Sequence, residues 1–333
     1  MLKVVDLNIG YKPRDKASAI LSEVSLLAME NDLIAVIGRN GIGKTTLLKT
    51  LAGILKPLSG RVEMYSKEIS RIHRKELARM IAYVSTELVN SPNMTVYDLV
   101  ALGRHPHTGW YGQLDSADHD VIHRAIGFLH LDKLAGKSLA EISDGERQRA
   151  LIARALAQDT SIIIMDEPAA FLDVVNRYEV MLMLRKICRA ENKTVIFSTH
   201  DLSMALHEAD KIWLLLPEKC LEGSPEDVIL SEKLNDLFKG SKMQMSEDTG
   251  QITLGRETKG YFTISGDSKL VRWTEKALDR MGYLLNKNET PDFDIETIRS
   301  KAGFEWIIQK NRETWVVHSI YELSLLIRNF TTF

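Results

Sequence analysis

Cysteine is nearly absent: Cys188 and Cys220 are the only two in 333 residues, far apart and without metal spacing. A disulfide-stapled scaffold is excluded, and both read as reduced structural thiols. Charge of one sign is lacking as well. Lys and Arg number 43 against 45 Asp and Glu, a net charge of -2, so no broad cationic surface for nucleic acid is expected. No apolar run approaches the ~18 residues that span a bilayer. The first residues also lack the basic region, apolar core and small-residue cleavage site of an export signal. The chain is therefore expected to stay in the cytosol and to meet a membrane only by docking on a partner. A hydrophobic content of 44% and a charged content of 26% fit a globular protein. The length accommodates two domains at ~100 to 200 residues each.

What is present is a phosphate loop. The apolar run Leu33, Ile34, Ala35, Val36, Ile37 breaks at Gly38, passes Arg39, Asn40, Gly41 and Gly43, and resumes as a helix at Lys44, Thr45 and Thr46. Glycines let the backbone turn tightly and bring its N–H groups to phosphate oxygens, while the following helix aims its positive end at them. Lys44 supplies a charge near the β and γ phosphates, and Thr45 a hydroxyl for Mg2+. An ordinary glycine turn is the plain alternative; the strand before it and the helix after it favour the phosphate loop. Tyr11, after a first strand at Met1 to Asn8, is either a packing residue or a ring on which a purine base stacks.

Further strands are expected at Ile20 to Leu27, Arg61 to Tyr65 and Ile81 to Val84, and a helix at Ser70 to Met80. A polar loop, Ser85 to Met94, precedes a helix capped by Thr95 and running to Gly103. His105 and His107 follow in a loop; they read as exposed polar residues in preference to a metal pair, because no Cys, Asp or Glu lies close. Asp115 to Leu131 is an amphipathic helix. Ser143 and Glu146 form a capping box at the next helix start, and a helix N-terminus with Ser143 and Gly145 is also an anion site. The apolar strand Ser161 to Met165 ends in Asp166 and Glu167, and Thr194 to Ser198 ends before His200. Carboxylates at the carboxyl end of a buried parallel strand face the ligand crevice. Asp166 can hold Mg2+, Glu167 can accept the proton of an attacking water, and His200 can touch the γ phosphate or orient that water.

Together these stretches resemble the ATPase subunits of ATP-binding cassette (ABC) transporters over residues 1 to about 240. The family's motifs read here as Tyr11, GRNGIGKTT from Gly38, ISDGE from Ile142, IIIMDEP from Ile162, AFLD ending at Asp173, and STHD from Ser198. The resemblance implies an α/β fold, a P-loop NTPase with a RecA-like core and a helical signature subdomain at about 86–160, within an ATPase domain of 1–245. It implies ATP and Mg2+ as nucleotide and metal. It also implies a homodimer in which Ser143, Asp144, Gly145 and Glu146 act on the neighbour's nucleotide, with Asp173 in the D-loop. TVYDLVALGRHP, from Thr95 to Pro106, is similar to importers of iron siderophores, haem and cobalamin. The implied partners are then a membrane permease dimer and, indirectly, an extracytoplasmic substrate-binding protein, at the cytoplasmic face of the inner membrane, with no nucleic acid. A soluble ABC-type ATPase of DNA repair or translation, or a weakly active nucleotide-dependent regulator, is the alternative.

Two departures stand out. Thr86 occupies the position of the usual glutamine before the permease loop. Asp144 and Glu146 stand where glycine and glutamine are usual, so extra negative charge lies where a γ phosphate would come, and Arg147 and Arg149 are near enough to offset it. Reduced or differently regulated hydrolysis is expected. Residues 256–333 lie outside the resemblance and read as a small α+β module for regulation or dimer contact, with strands at Tyr261 to Ser265, Phe304 to Ile308 and Trp315 to Val317 and helices at Lys269 to Met281 and Ile320 to Phe330.

Overall fold

Alternate residues of the apolar run before the glycine loop enter different cores, which is why that run has no polar face. In the computed structural model the described residues are all but 12–17, 86–92, 110–111, 218, 246–251, 287–289, 302 and 331–333. They divide into two units, Met1–Ser241 with Met245–Ile252, and Lys242–Gln244 with Thr253–Phe333.

The first unit runs β1 (Leu2–Tyr11), β2 (Ser18–Ala28), β3 (Leu33–Gly38), α1 (Lys44–Leu51), β4 (Ser59–Met64), β5 (Lys67–Glu68), α2 (Arg74–Leu77), β6 (Ile81–Val84), α3 (Val96–Ala101), α4 (Ser116–Phe128), α5 (Asp144–Ala157), β7 (Ile162–Met165), α6 (Val174–Ala190), β8 (Thr194–Ser198), α7 (Leu202–Glu208), β9 (Lys211–Leu215), β10 (Cys220–Gly223) and α8 (Pro225–Leu230). A six-stranded sheet has the order β10-β9-β3-β8-β7-β6 and is parallel from β9 to β6; a four-stranded sheet has the order β2-β1-β4-β5. Ile34, Val36, Ile162, Ile164 and Ile196 pack with α1 and the four-stranded sheet. Leu33, Ala35, Ile37, Ile163, Met165 and Phe197 pack with α3 to α7. Each such side chain, fully buried, contributes ~1.5–3 kcal/mol. Because β3, β7 and β8 are parallel neighbours, their carboxyl ends lie on one edge, which gathers the phosphate loop, the two acids and the histidine.

The helical lobe is pinned by buried charge. Arg104 donates from Nε to Asp118 at 2.8 Å and from Nη1 to the Ala157 carbonyl at 2.9 Å. This joins the turn after α3 to the start of α4 and the end of α5. α3 itself stops at Ala101 and gives way to a 3-10 turn, Leu102–Arg104. There Gly103 is required by the close approach of the Arg154 carbonyl, which a Cβ would strike.

The expected helix from Ser70 to Met80 is broken: only the turn Ile69–Arg71 and α2 form, because Ile72 and His73 are extended between them. His105 is exposed, but His107 is half-buried with Nε2 2.9 Å from the Gln158 carbonyl oxygen, so one of that pair serves packing. Thr86 lies outside the described residues.

A two-stranded ribbon, β11 (Met243–Met245) with β12 (Ile252–Leu254), comes next in the chain. The second unit then has β13 (Gly260–Gly266), α9 (Ser268–Met281), β14 (Tyr283–Leu285), β15 (Phe293–Ser300), β16 (Gly303–Lys310), β17 (Glu313–Val317) and α10 (Ile320–Phe330), in a sheet of order β14-β13-β15-β16-β17. Phe262, Phe293, Ile295, Trp306 and Ile308 of the sheet meet Leu270 and Leu278 of α9 and Leu323 and Ile327 of α10. The buried Trp306 indole donates to Thr274 Oγ1 at 2.7 Å. α9 is capped by Asp267 and stops at Gly282, whose φ of 93° suits glycine alone among common residues.

Candidate active site

The phosphate loop leaves β3 through Gly38, where a Cβ would press on the Leu215 backbone, and enters α1 through Gly43 at φ 110°. Both glycines are needed: one for close approach, one for a left-handed turn. Lys44 is buried, and its Nζ donates to the Gly38 carbonyl at 2.9 Å. Burial pushes its ammonium below the usual range, against the pull of Glu167 and Asp166. Thr45 is exposed at the mouth of the loop, whereas Thr46 is buried and lies 3.4 Å from the Tyr11 hydroxyl. Tyr11 is 56% exposed, so its ring is open for stacking. Arg39 leans away, with Nη1 donating to the Lys239 carbonyl at 3.3 Å.

Asp166 and Glu167 follow β7 directly. Asp166 is buried, and the Ser198 hydroxyl donates to its Oδ1 at 2.6 Å. Glu167 has φ 48°, a left-handed conformation costly for a residue with a Cβ, and its N–H donates to the same Ser198 oxygen at 2.9 Å. Its Oε1 lies 3.0 Å from His200 Nδ1. Two carboxylates, one of them buried, a histidine bonded to the other, and a lysine within electrostatic reach of both thus occupy one edge of the sheet.

The signature stretch lies at the start of α5. The capping box is complete: Ser143 N–H and Oγ–H donate to Glu146 Oε2 at 2.8 and 2.9 Å, and Glu146 N–H returns to Ser143 Oγ at 3.3 Å. These bonds from the Ser143 backbone and hydroxyl hold the Glu146 carboxyl below the usual carboxylate range. Asp144 points outward, 3.6 Å from Arg147, while Arg149 pairs with Glu179 at 3.3 Å. Arg147 is therefore the cation paired with Asp144; Arg149 acts on Glu146 only through space. Gly145 abuts Asn176, which Asp173 holds from both sides: Asn176 N–H to Oδ1 at 2.9 Å and Nδ2 to Oδ2 at 2.8 Å. The contact ties the signature helix to the D-loop within one chain, and the residue that makes it, Asn176, carries no motif signal in the sequence. Ser198 stands in the STHD stretch, but nothing in its spacing assigns its hydroxyl to the two acids; the signal available is a hydroxyl closing the apolar run Val195 to Phe197.

A parallel sheet with a phosphate loop on its central strand and acids at the carboxyl end of the strand next but one defines a P-loop nucleotide hydrolase. A family model described as ABC transporter matches residues 21–170, and another, the iron ABC transporter C-terminal domain, matches residues 259–328. An ABC transporter ATP-binding protein of Methanocaldococcus jannaschii is 38% identical over 270 residues, covering 80% of this chain and 92% of that one. The petrobactin import ATP-binding protein FpuD of Bacillus anthracis is 33% identical, covering 69% and 84%. The ferric enterobactin transport ATP-binding protein FepC of Escherichia coli is 30% identical, covering 71% and 86%. An inward-facing solved structure, described as a metal-chelate type ABC transporter, aligns with a TM-score of 0.63 at 29% identity, covering 76% of this chain and 94% of that one. The chain belongs to the ATP-binding subunits of ABC transporters, and it is an ATPase. Among the described residues no helix is long and apolar enough to cross a membrane, as suits a subunit that works with membrane permease components.

Proposed function

We propose that this chain powers import of an iron-bearing or cobalt-bearing chelate, such as a siderophore, haem or cobalamin complex, through a separate membrane permease. The match of residues 259–328 to the iron transporter C-terminal domain carries this reading, because that stretch lies beyond the motifs every cassette shares. The relatives named for petrobactin and ferric enterobactin support it. The working form is a homodimer on the cytoplasmic side of the membrane, with the substrate-binding protein acting on the far side of the permease.

In the reaction, water attacks the γ phosphorus, the bond to the β–γ bridging oxygen breaks, and ADP and phosphate leave. Glu167 accepts the proton of that water. His200, with Nδ1 beside Glu167, presents Nε2 to the γ phosphate. Lys44 exchanges its bond to Gly38 for phosphate oxygens, and the N–H groups of Arg39 to Thr46 line the chain of phosphates. Tyr11 stacks on the base. Ser143 and Gly145 of one copy cap the γ phosphate held by the other. The buried Asp166 carboxylate and the exposed Thr45 hydroxyl are hard oxygen donors at the mouth of the loop, the donor chemistry that suits Mg2+. Asp166 and Thr45 would hold Mg2+ there, which would supply neutralisation of phosphate charge.

The test is uptake of iron-loaded siderophore by cells lacking the chain, with ATP turnover of the purified protein alongside. Wild type should restore uptake and Glu167→Gln should not, with turnover down at least ~100-fold, the scale of a general base. Uptake sustained by E167Q would reject the assignment of Glu167; failure of the wild type to restore uptake of any metal chelate would reject the cargo.

A further inference from the structure

The Ser198 hydroxyl is the one polar group in the last position of β8, is 0% exposed, and is bonded on both sides to the two acids that do the chemistry. Strand register explains how it arrives there. Met165 of β7 pairs with Phe197 of β8, so the next residue on each strand, Asp166 and Ser198, fall side by side where the ladder ends. A buried hydroxyl costs free energy unless both its proton and its oxygen are used. Here the single proton goes to Asp166 Oδ1 and a lone pair receives the Glu167 N–H. Packing alone asks for no oxygen at this point, since Val195, Ile196 and Phe197 before it are all buried and apolar.

We propose that Ser198 is a positioning residue for hydrolysis: its hydroxyl locks the carboxylate of Asp166 in the orientation that offers its other oxygen to the metal, and holds Glu167 in the left-handed turn that aims its side chain at the attacking water. Glu167 has an unfavourable φ of 48°. Its N–H, turned out of the ladder by that conformation, finds its partner in Ser198. Without the hydroxyl the turn loses its clamp, Glu167 relaxes away from His200, and Asp166 is free to rotate. Buried and bonded to both acids, Ser198 acts through them. The proposal rests on the assignment of Asp166 and Glu167 made above.

Ser198→Ala, Ser198→Thr and Ser198→Cys in the full-length chain test it, with Glu167→Gln and Asp166→Asn as references. S198A should lower kcat ~10- to 100-fold with the KM for ATP within ~2-fold. It should also raise the Mg2+ concentration at which a non-hydrolysable ATP analogue lifts the melting temperature, a binding readout independent of turnover. Affinity for ADP without metal should be unchanged, and S198T, which keeps the hydroxyl, should return kcat to within ~3-fold of wild type. A merely structural serine would lower metal-free ADP affinity and melting temperature together and leave the Mg2+ midpoint in place. S198A with wild-type kcat, or S198T as impaired as S198A, overturns the proposal. If S198A does not fold, S198C carries the test, since it fills the same space with a weak donor; full activity in S198C overturns it. The references separate the two layers: E167Q and D166N still active means the site reading is wrong, whereas both dead with S198A intact means only that Ser198 is idle.

Discussion

Glu146→Gln should make this ATPase faster and its ATP-driven pairing tighter. The Ser143 hydroxyl, assigned to a partner's γ phosphate, donates instead to Glu146 Oε2 at 2.9 Å, and the Ser143 N–H does so at 2.8 Å. An incoming phosphate must take these donors from a carboxylate that also carries like charge. Two anions sharing one hydroxyl stand about two hydrogen bonds apart, ~5 Å, where a unit pair repels by ~0.8 kcal/mol in water and ~3 kcal/mol at an effective dielectric of 20. Glu146 is half-buried, so ~1–2 kcal/mol per charge is the fitting middle, or ~5- to 30-fold in an equilibrium constant. Glutamine keeps the box, since its carbonyl accepts the Ser143 N–H as a carboxylate does, and α5 should lose only a few tenths of a kcal/mol of dipole stabilisation. Light scattering over a protein dilution series with ATP, beside turnover at each concentration, gives the readout. Because a pair of copies has two such sites, the midpoint for E146Q should lie ~30- to 900-fold lower in protein, with turnover raised most at the dilute end. Asp144→Asn should do less, because Asp144 points outward beside Arg147. An E146Q midpoint equal to or above wild type, with helix content and melting unchanged, would refute the competition between carboxylate and phosphate.

Two predictions concern stability. Asp118→Asn leaves the buried Arg104 without its counter-charge and should cost ~3 kcal/mol by chemical denaturation of the whole chain. Burial works to raise the Asp118 carboxyl, but the bonds to Arg104 and the Asp115 N–H outweigh it and leave the folded value below the unfolded one of 3.8. Its stabilisation is therefore fully present above that value and is lost as pH falls through the lower folded one; a wild-type loss of stability between pH 7 and 5 traced to this residue would contradict the pairing. Thr274→Val strands the Trp306 indole N–H in the core of the second unit and should cost ~1–3 kcal/mol, seen as earlier loss of Trp306 fluorescence in denaturant. Unchanged melting would mean the indole finds another acceptor.

The parts of the fold written in period and punctuation were legible from the residues. β8 at Thr194–Ser198 and α10 at Ile320–Phe330 have the bounds that a continuous apolar run and helical spacing imply, and Thr95, Ser143 and Gly282 stop or start helices as capping chemistry demands. β15, the middle strand of the second sheet, is not among the strands the sequence implies. Its buried Phe293, Ile295 and Thr297 alternate with Asp294 and Glu296, and the acids on the open face obscured the alternation. The run from Ser70 to Met80 has helical composition, but extended backbone at Ile72 and His73 overrides propensity. At the site, motifs announce the groups that face the nucleotide. Ser198 and Asn176 support those groups, and only strand register and helix packing bring them there, which one-dimensional spacing does not encode.

Three groups assigned to phosphate share a trait: each has a partner inside the chain. Lys44 bonds the Gly38 carbonyl, Ser143 bonds Glu146, and His200 meets Glu167. Nucleotide binding in this site is therefore an exchange of bonds, and an exchanged hydrogen bond nets only ~1 kcal/mol. No single group then commits the chain to hydrolysis; the small gains must be collected together before the γ phosphate is fully caged. His200 keeps its partner, so the exchanges are at Lys44 and Ser143, and they differ. Lys44 leaves a neutral carbonyl, but Ser143 must leave one anion for another, so the signature helix is the step at which charge opposes closure. Glutamine at 146 would lower that opposition by the ~1–2 kcal/mol per charge worked above. With glutamate there, the Ser143 donors are already held by a carboxylate, and that prior bond is what E146Q is expected to loosen.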